Sequence, residues 1–310
     1  MKVIVTGVSG YIGGQIALQL MDDGHTVVGI DRVACLLPIN KFVLGDFADK
    51  FSLSTIISEQ PDTVIHCAGT SLVGPSIADP AEYYNNNVVK TIAMLDIVRR
   101  SLPKTRVIFS SSAAAYGTPI MTPCQEIDPA EPISPYGETK LIIERVLESY
   151  HRAYRLDYVA FRYFNACGAD SRGRHGQELG ATHIIARVLE SVKNSTQFVC
   201  NGNNFETADG TCVRDYVHVE DIATAHIMAL DKSVPAGVYN LGTSEGRSNL
   251  EIVDEAQQVT GHPIAVTFGP ARAGDPAVLT ADAAKFAQAT GWQPKYTLSD
   301  MVRHAWAWYV

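Results

Sequence analysis

Short apolar runs recur along the first half of the chain, each followed by a stretch with helical spacing. "KVIVTG" opens the series, and "TVVGID", "KFVLGD", "TVIHCAG", "RVIFSSS" and "DYVAFRYF" continue it. β-Branched residues fill these runs, as expected of strands buried on both faces. Helical segments fall between them, at about 11–21, 49–58, 80–100 and 135–154. Strands alternating with helices predict an α/β fold with a doubly wound parallel sheet. After Asn165 the texture changes. "ACGADSRGRHGQELGAT" and "NGNNFETADGTC" read as long loops, and loops of that length usually carry function. The expected division is a first domain over residues 1–165, with 213–232 returning to it, and a smaller C-terminal α+β lobe from 166–212 and 233–310 that holds the substrate.

Charge and composition exclude several classes. The formal net charge of -8 repels nucleic acid and anionic lipid, so neither is expected as a partner. No apolar run is long enough for a membrane span, and Lys2 leads directly into "VIVTG" without a leader pattern. A cytoplasmic protein is expected. The six cysteines form no CxxC pair and read as small buried thiols; no metal site is expected.

"TGVSGYIGG" places Gly7, Gly10 and Gly13 at a strand-to-helix turn, with Tyr11 and Ile12 opening the helix. Gly7 allows the tight turn. Gly10 lets the backbone approach a pyrophosphate at the helix N-terminus, where free N–H groups and the dipole favour anions. This is a Rossmann-type dinucleotide signature. Asp31 closes the next strand, where a carboxylate bonds a free ribose 2′-hydroxyl and repels a 2′-phosphate. NAD is therefore expected over NADP, with Arg32 over the adenine or in solvent. Asp46 and Phe47, and Cys67, Ala68 and Gly69, end later strands at the same sheet edge.

"SPYGETK" sets Tyr136 and Lys140 four residues apart on one helical face. An ammonium beside a phenol favours phenolate, which makes Tyr136 a candidate base with a lowered pKa. Ser112 ends the fifth strand and can bond a substrate hydroxyl or keto oxygen.

These residues, with "AEYYNNNV", "FSSSAAAYG", "RYFNACGA", "TADGTCVRDYVHVEDIATAH", "YNLG" and "ARAGDPAVL", resemble the UDP-glucose (UDP-galactose) 4-epimerases of the extended short-chain dehydrogenase/reductase superfamily. The resemblance spans nearly the whole chain, and "DGTCVRDYVHV" is its most specific segment. It implies that Tyr136 takes the C4 hydroxyl proton, that hydride passes from C4 to NAD, and that the 4-keto sugar turns and recovers the hydride on its other face. It adds Asn86, Ser110 and Phe164 to the cofactor contacts. It assigns Asn165, Arg214, Arg272 and Asp275 to UDP, with His183, Ile184 and Asn201 beside them and Leu279 against the sugar C2 substituent. It also implies a homodimer joined through the helices at 80–100 and 135–154.

Related dehydratases carry an acid pair just after the active serine. Here Ala113 and Ala114 stand there, and a methyl group moves no proton. Three departures from the family pattern concern binding: Ser71 replaces a lysine near the cofactor ribose, Asn201 replaces an apolar or aromatic residue against uracil, and the short segment after Asp31, "RVACLLPIN", trims the adenine-side loop. The alternatives are another sugar-nucleotide enzyme of the superfamily (an N-acetylhexosamine or uronate epimerase, a reductase, a dehydratase) and a non-catalytic NAD-sensing protein.

Overall fold

Chain order alternates as the apolar runs require. The first half runs β1 (Lys2–Thr6), α1 (Tyr11–Asp22), β2 (Thr26–Asp31), β3 (Lys41–Leu44), α2 (Lys50–Glu59), β4 (Thr63–His66), α3 (Val73–Ala78), α4 (Pro80–Tyr83), α5 (Lys90–Ser101), β5 (Arg106–Ser112), α6 (Pro135–Tyr154) and β6 (Tyr158–Tyr163). The second runs β7 (Asn165–Cys167), α7 (Ile184–Lys193), β8 (Phe198–Asn201), β9 (Val213–His218), α8 (Val219–Met228), β10 (Gly237–Leu241), β11 (Gly246–Ser248), α9 (Asn249–Thr260), β12 (Val266–Gly269), β13 (Val278–Leu279), α10 (Ala284–Thr290) and α11 (Leu298–Tyr309). This computed structural model describes every residue except Leu179 and Ala273.

Seven strands form one sheet in the order β10-β6-β5-β4-β1-β2-β3, parallel throughout. Chain order reverses between β1 and β4, so a crevice opens at their C-terminal ends, where open α/β sheets bind ligands. Ile16, Leu20, Ile222 and Phe286 cover one face of the sheet, from α1, α8 and α10. Ile56, Met94, Val98, Ile143 and Leu147 cover the other, from α2, α5 and α6. A separate core of Ile185, Leu189, Ile252 and Met301 joins α7, α9 and α11. No helix among the described residues is long and apolar enough to cross a membrane, and no cluster of His, Cys, Asp or Glu there could hold a metal.

Three expectations need amendment. β10, read as part of the smaller lobe, hydrogen-bonds to β6 at the edge of the large sheet. β9, read with the first domain, pairs instead with β7, β11 and β13 in a second sheet, while α8 does pack beside α1. The physical reason is composition: "GVYNL" is an apolar strand, whereas β9 carries Arg214 and Asp215. The single helix expected over 80–100 is interrupted by a π-helical turn, Tyr84–Val89. Its wider winding buries both Asn86 and Asn87, which bond Thr70.

Candidate active site

At the glycine turn, Gly7 adopts φ +73°, and its N–H donates to the Ile30 carbonyl at 2.9 Å. A Cβ on Gly7 would stand 2.6 Å from the Ala68 nitrogen, and one on Gly13 would stand 2.2 Å from the Gly7 carbonyl oxygen. A Cβ on Gly10 would meet only the Gly7 oxygen, at 3.3 Å. Gly7 and Gly13 therefore serve close backbone packing, while Gly10 leaves open space at the α1 N-terminus, which no side chain caps. That cradle fits a dinucleotide pyrophosphate.

The residues around it divide by what they touch. Asp31 accepts from the Ser9 and Val33 N–H groups at 2.9 and 3.0 Å, which fixes its carboxylate beside the glycine turn. Arg32 is exposed. Tyr11 sends its hydroxyl to the Gly168 carbonyl at 2.7 Å, and Ile12 packs toward the core, so both face the cradle through backbone only. Asp46 pairs with Lys90 at 2.6 Å, and Lys90 also donates to the Asn86 side chain at 2.8 Å. Burial works against the Asp46 charge, but Lys90 and the Ala48 N–H hold its carboxyl below the usual range. Phe47 lies edge-on to His66, with 4.8 Å between ring centroids. Asn87, which sequence reading passed over, accepts from Thr70 N–H at 2.7 Å and so shapes the loop after Gly69. Its signal was weak: one of three consecutive asparagines.

Ser112 ends β5 and accepts from the Ala114 N–H at 3.1 Å, starting the turn Ala113–Ala115. Ser134 caps α6, accepting from Gly137 N–H at 3.2 Å. Gly137 lets the helix start close to the Ala114 carbonyl, 2.4 Å from where a Cβ would sit. Tyr136 and Lys140 thereby face the end of β5. The Lys140 ammonium donates to the Ser110 carbonyl at 2.8 Å and lies 5.6 Å from the Tyr136 ring centroid. Burial lowers the Lys140 pKa to about 8, against the pull of Cys67 and Glu144. Beneath it, Tyr163 donates to Ser110 at 2.9 Å, and Ser110 to Cys67 at 3.1 Å. Burial pushes the Cys67 thiol up to about 11. The lowered phenol expected for Tyr136 is not found. Burial raises it, the Ser112 hydroxyl opposes that, and the lysine is engaged by a carbonyl.

The remaining predicted residues fall after β6 in the chain. Asn165 begins β7, and His183 and Ile184 begin α7; all three border one narrow cleft with Tyr216. Arg214 pairs with Asp275 at 3.7 Å. With its amide oriented to suit its neighbours, Asn201 accepts from Arg272 at 3.0 and 3.2 Å. Asn201 thus orients an arginine, a role its departure from the apolar pattern did not suggest. His183 is held below the usual imidazole range by desolvation and by Arg272. Arg187 feels the same Arg272 charge, although sequence reading did not single it out. Its spacing of one helical turn from His183 was the available signal. Leu279 packs beside Ala113, Tyr116 and Phe164.

Residues 3–242 match the NAD dependent epimerase/dehydratase family. A UDP-glucose 4-epimerase from Halalkalibacterium halodurans is 43% identical across 100% of this chain and 96% of its own length. The chain belongs to the UDP-glucose 4-epimerase family. The solved UDP-glucose 4-epimerase of Brucella ovis in complex with NAD superposes with a TM-score of 0.93 at 40% identity, covering 98% of this chain and 97% of that one. The UDP-Glc/GlcNAc 4-epimerase of Campylobacter jejuni superposes at 0.85 with 32% identity, over 99% of this chain and 98% of its own.

Proposed function

We propose that the protein interconverts UDP-glucose and UDP-galactose by inverting C4, with measurable activity on UDP-N-acetylhexosamines. The observation that carries this is the convergence of Ser112, Tyr136 and Lys140 beside the glycine turn, next to two alanines that move no protons. Gly7, Gly10, Gly13, Asp31, Asp46 and Asn86 would hold NAD, which when bound would supply a hydride acceptor regenerated within each turnover. Tyr136, as its phenolate, takes the C4 hydroxyl proton to become the phenol and later returns that proton to the C4 oxygen. Lys140 places a positive charge beside the phenol, and Ser112 bonds the C4 oxygen. Arg214 and Arg272 hold the diphosphate, with Asn165, His183, Ile184, Asn201 and Asp275 around the nucleoside. Ala113 and Ala114 leave the keto sugar without a base for C5 or an acid for its C6 hydroxyl, so hydride return is the remaining exit.

The large sheet carries the cofactor half of the site, and the strands and helices after β7 carry most of the nucleotide-sugar half. The protein is a homodimer in the cytoplasm. Exposed apolar side chains on the α3–α6 side, Ile77 at 62%, Val89 at 60% and Tyr154 at 53%, support a helical seam, and six free thiols suit a reducing compartment. The test is incubation with UDP-galactose, followed by separation of the UDP-hexoses. UDP-glucose formation without added reductant is expected. A 4-keto-6-deoxy product, or net nicotinamide reduction matching turnover, would overturn the reading.

A further inference from the structure

Behind the catalytic pair lies a buried ionic network that the mechanism above does not use. Glu144 sits one helical turn after Lys140 on α6, and only 3% of it is exposed. Its carboxylate accepts from the Ser111 hydroxyl at 2.5 Å and from Arg162 Nε and Nη2 at 3.0 and 2.6 Å. Ser111 immediately precedes Ser112 on β5, and Arg162 lies on β6, paired in register with Ser111. One carboxylate thus joins α6, β5 and β6 at the point where Ser112, Tyr136 and Lys140 meet. The Arg162 guanidinium also lies 4.5 Å from the Tyr116 ring centroid, and its Nη1 has no acceptor among the described residues. Glu144 is the only carboxylate hydrogen-bonded to that cation there.

We propose that Glu144, braced by Ser111 and Arg162, is a positioning residue for the C4 inversion. It fixes the end of β5 against α6, so that Ser112 and Lys140 keep their spacing. This rests on the roles proposed above for Tyr136 and Lys140.

Glu144 also acts through charge. Lys140 is surrounded by the Ser110 carbonyl and Phe109 ring of β5, by His66 and Cys67 at the end of β4, by Tyr136 and Glu144 on its own helix, and by Tyr163 of β6 through Ser110. Burial strips Lys140 of solvation, and Glu144 is the one carboxylate among these neighbours that favours its ammonium. Arg162 bonds that same carboxylate but is not among the groups that bias the Lys140 ammonium. The two partners of one ion pair therefore differ in their effect on Lys140.

That difference separates positioning from simple structural support. Removing either partner breaks the buried Glu144–Arg162 bonds, but only the loss of Glu144 takes a favourable charge from Lys140 and so moves the alkaline limb of kcat/KM. In NAD-loaded Glu144→Gln, kcat should fall at least tenfold with KM within about twofold of wild type. The limb should move toward lower pH by roughly one unit, the scale of losing a nearby opposite charge. In Arg162→Lys, which keeps a cation against Glu144, the limb should stay in place. An equal shift in both variants, or a limb that stays in place in Glu144→Gln while the protein melts early, would overturn the proposal. Glu144→Asp keeps the charge but shortens the reach, and it answers the question if the neutral variant does not fold. Its limb should stay in place while kcat drops; wild-type kcat, or a limb displaced toward lower pH, overturns the proposal. Lys140→Met is run alongside. If it keeps wild-type turnover, the underlying site assignment has failed independently of Glu144.

Discussion

Tyr136 and Lys140 reach one strand end because a capped helix starts there, with Ser134 and Gly137 setting its height above the Ala113–Ala115 turn. Tyr136→Phe and Lys140→Met should each lower epimerisation by about 10²–10⁴-fold, the range for losing a positioned acid–base group. Ser112→Ala should cost less, since water can replace a hydroxyl; near-normal turnover in Tyr136→Phe would refute the assignment. Leu279 is the second residue-scale test. It packs beside Ala113 and Phe164 and offers neither the bulk nor the hydroxyl of tyrosine. Leu279→Tyr should suppress turnover of UDP-N-acetyl sugars and spare that of the hexoses, by a graded ~1–3 kcal/mol. Equal loss of both activities would remove Leu279 as the gate. Tyr136, Lys140 and Ser112 were legible in the sequence because helix period and strand ends are local properties. Asn87, Arg187 and Glu144 were not, because their partners are far away in sequence: Thr139, Arg272 and Arg162 respectively. The expected drop in the Tyr136 pKa failed for a related reason. Sequence spacing reveals a nearby ammonium but not how deeply the phenol is buried.

Among the elements, the glycine turn has two separable parts. Gly13→Ala forces a Cβ to within 2.2 Å of the Gly7 carbonyl oxygen, where both atoms are fixed by backbone. That variant should lose stability, seen as early melting, and lose bound NAD with it. Gly10→Ala meets far less protein but occupies the cradle. It should release NAD readily, measured as nucleotide content after gel filtration, and melt at nearly the temperature of NAD-stripped wild-type protein. Equal melting losses in both variants would contradict this division. Most strands and helices could be read from their apolar periods. The exchange between β9 and β10 was legible only in part: Arg214 and Asp215 set β9 apart from an apolar run, but the strands each run pairs with lie far away in sequence. The π-helical turn within 84–89 was also hidden, because the apolar spacing of the segment looks helical on both sides of it.

At the scale of the whole molecule, the exposed Ile77, Val89 and Tyr154 predict association through the α3–α6 side. Ile77→Glu combined with Val89→Glu should halve the mass found by light scattering; a wild-type monomer at micromolar concentration would refute the dimer. A different property follows from histidines buried throughout the large sheet and its border. His66 is bonded by Thr6 and Thr91, His226 by the Ile222 carbonyl and Tyr163, and His218 by Glu220 N–H and His304. Burial lowers their pKa values from 6.5 to about 3, 4 and 4 respectively. The unfolded chain therefore binds these protons first, and stability present above pH 6.5 is lost as pH falls toward the folded values. Taking pH 5 against neutral, each histidine costs about 2 kcal/mol at 1.36 kcal/mol per unit. Asp221 works the other way: burial raises its pKa from 3.8 to about 6, so it gains stability on acidification, by about 1 kcal/mol over the same range. Three large losses outweigh one small gain. The melting temperature should drop steeply between pH 7 and pH 5, and His66→Gln, which retains hydrogen-bonding capacity but binds no proton, should flatten that drop by about two-fifths on this arithmetic. A melting temperature that holds or rises at pH 5 would show that these imidazoles are not neutral and buried in the folded protein.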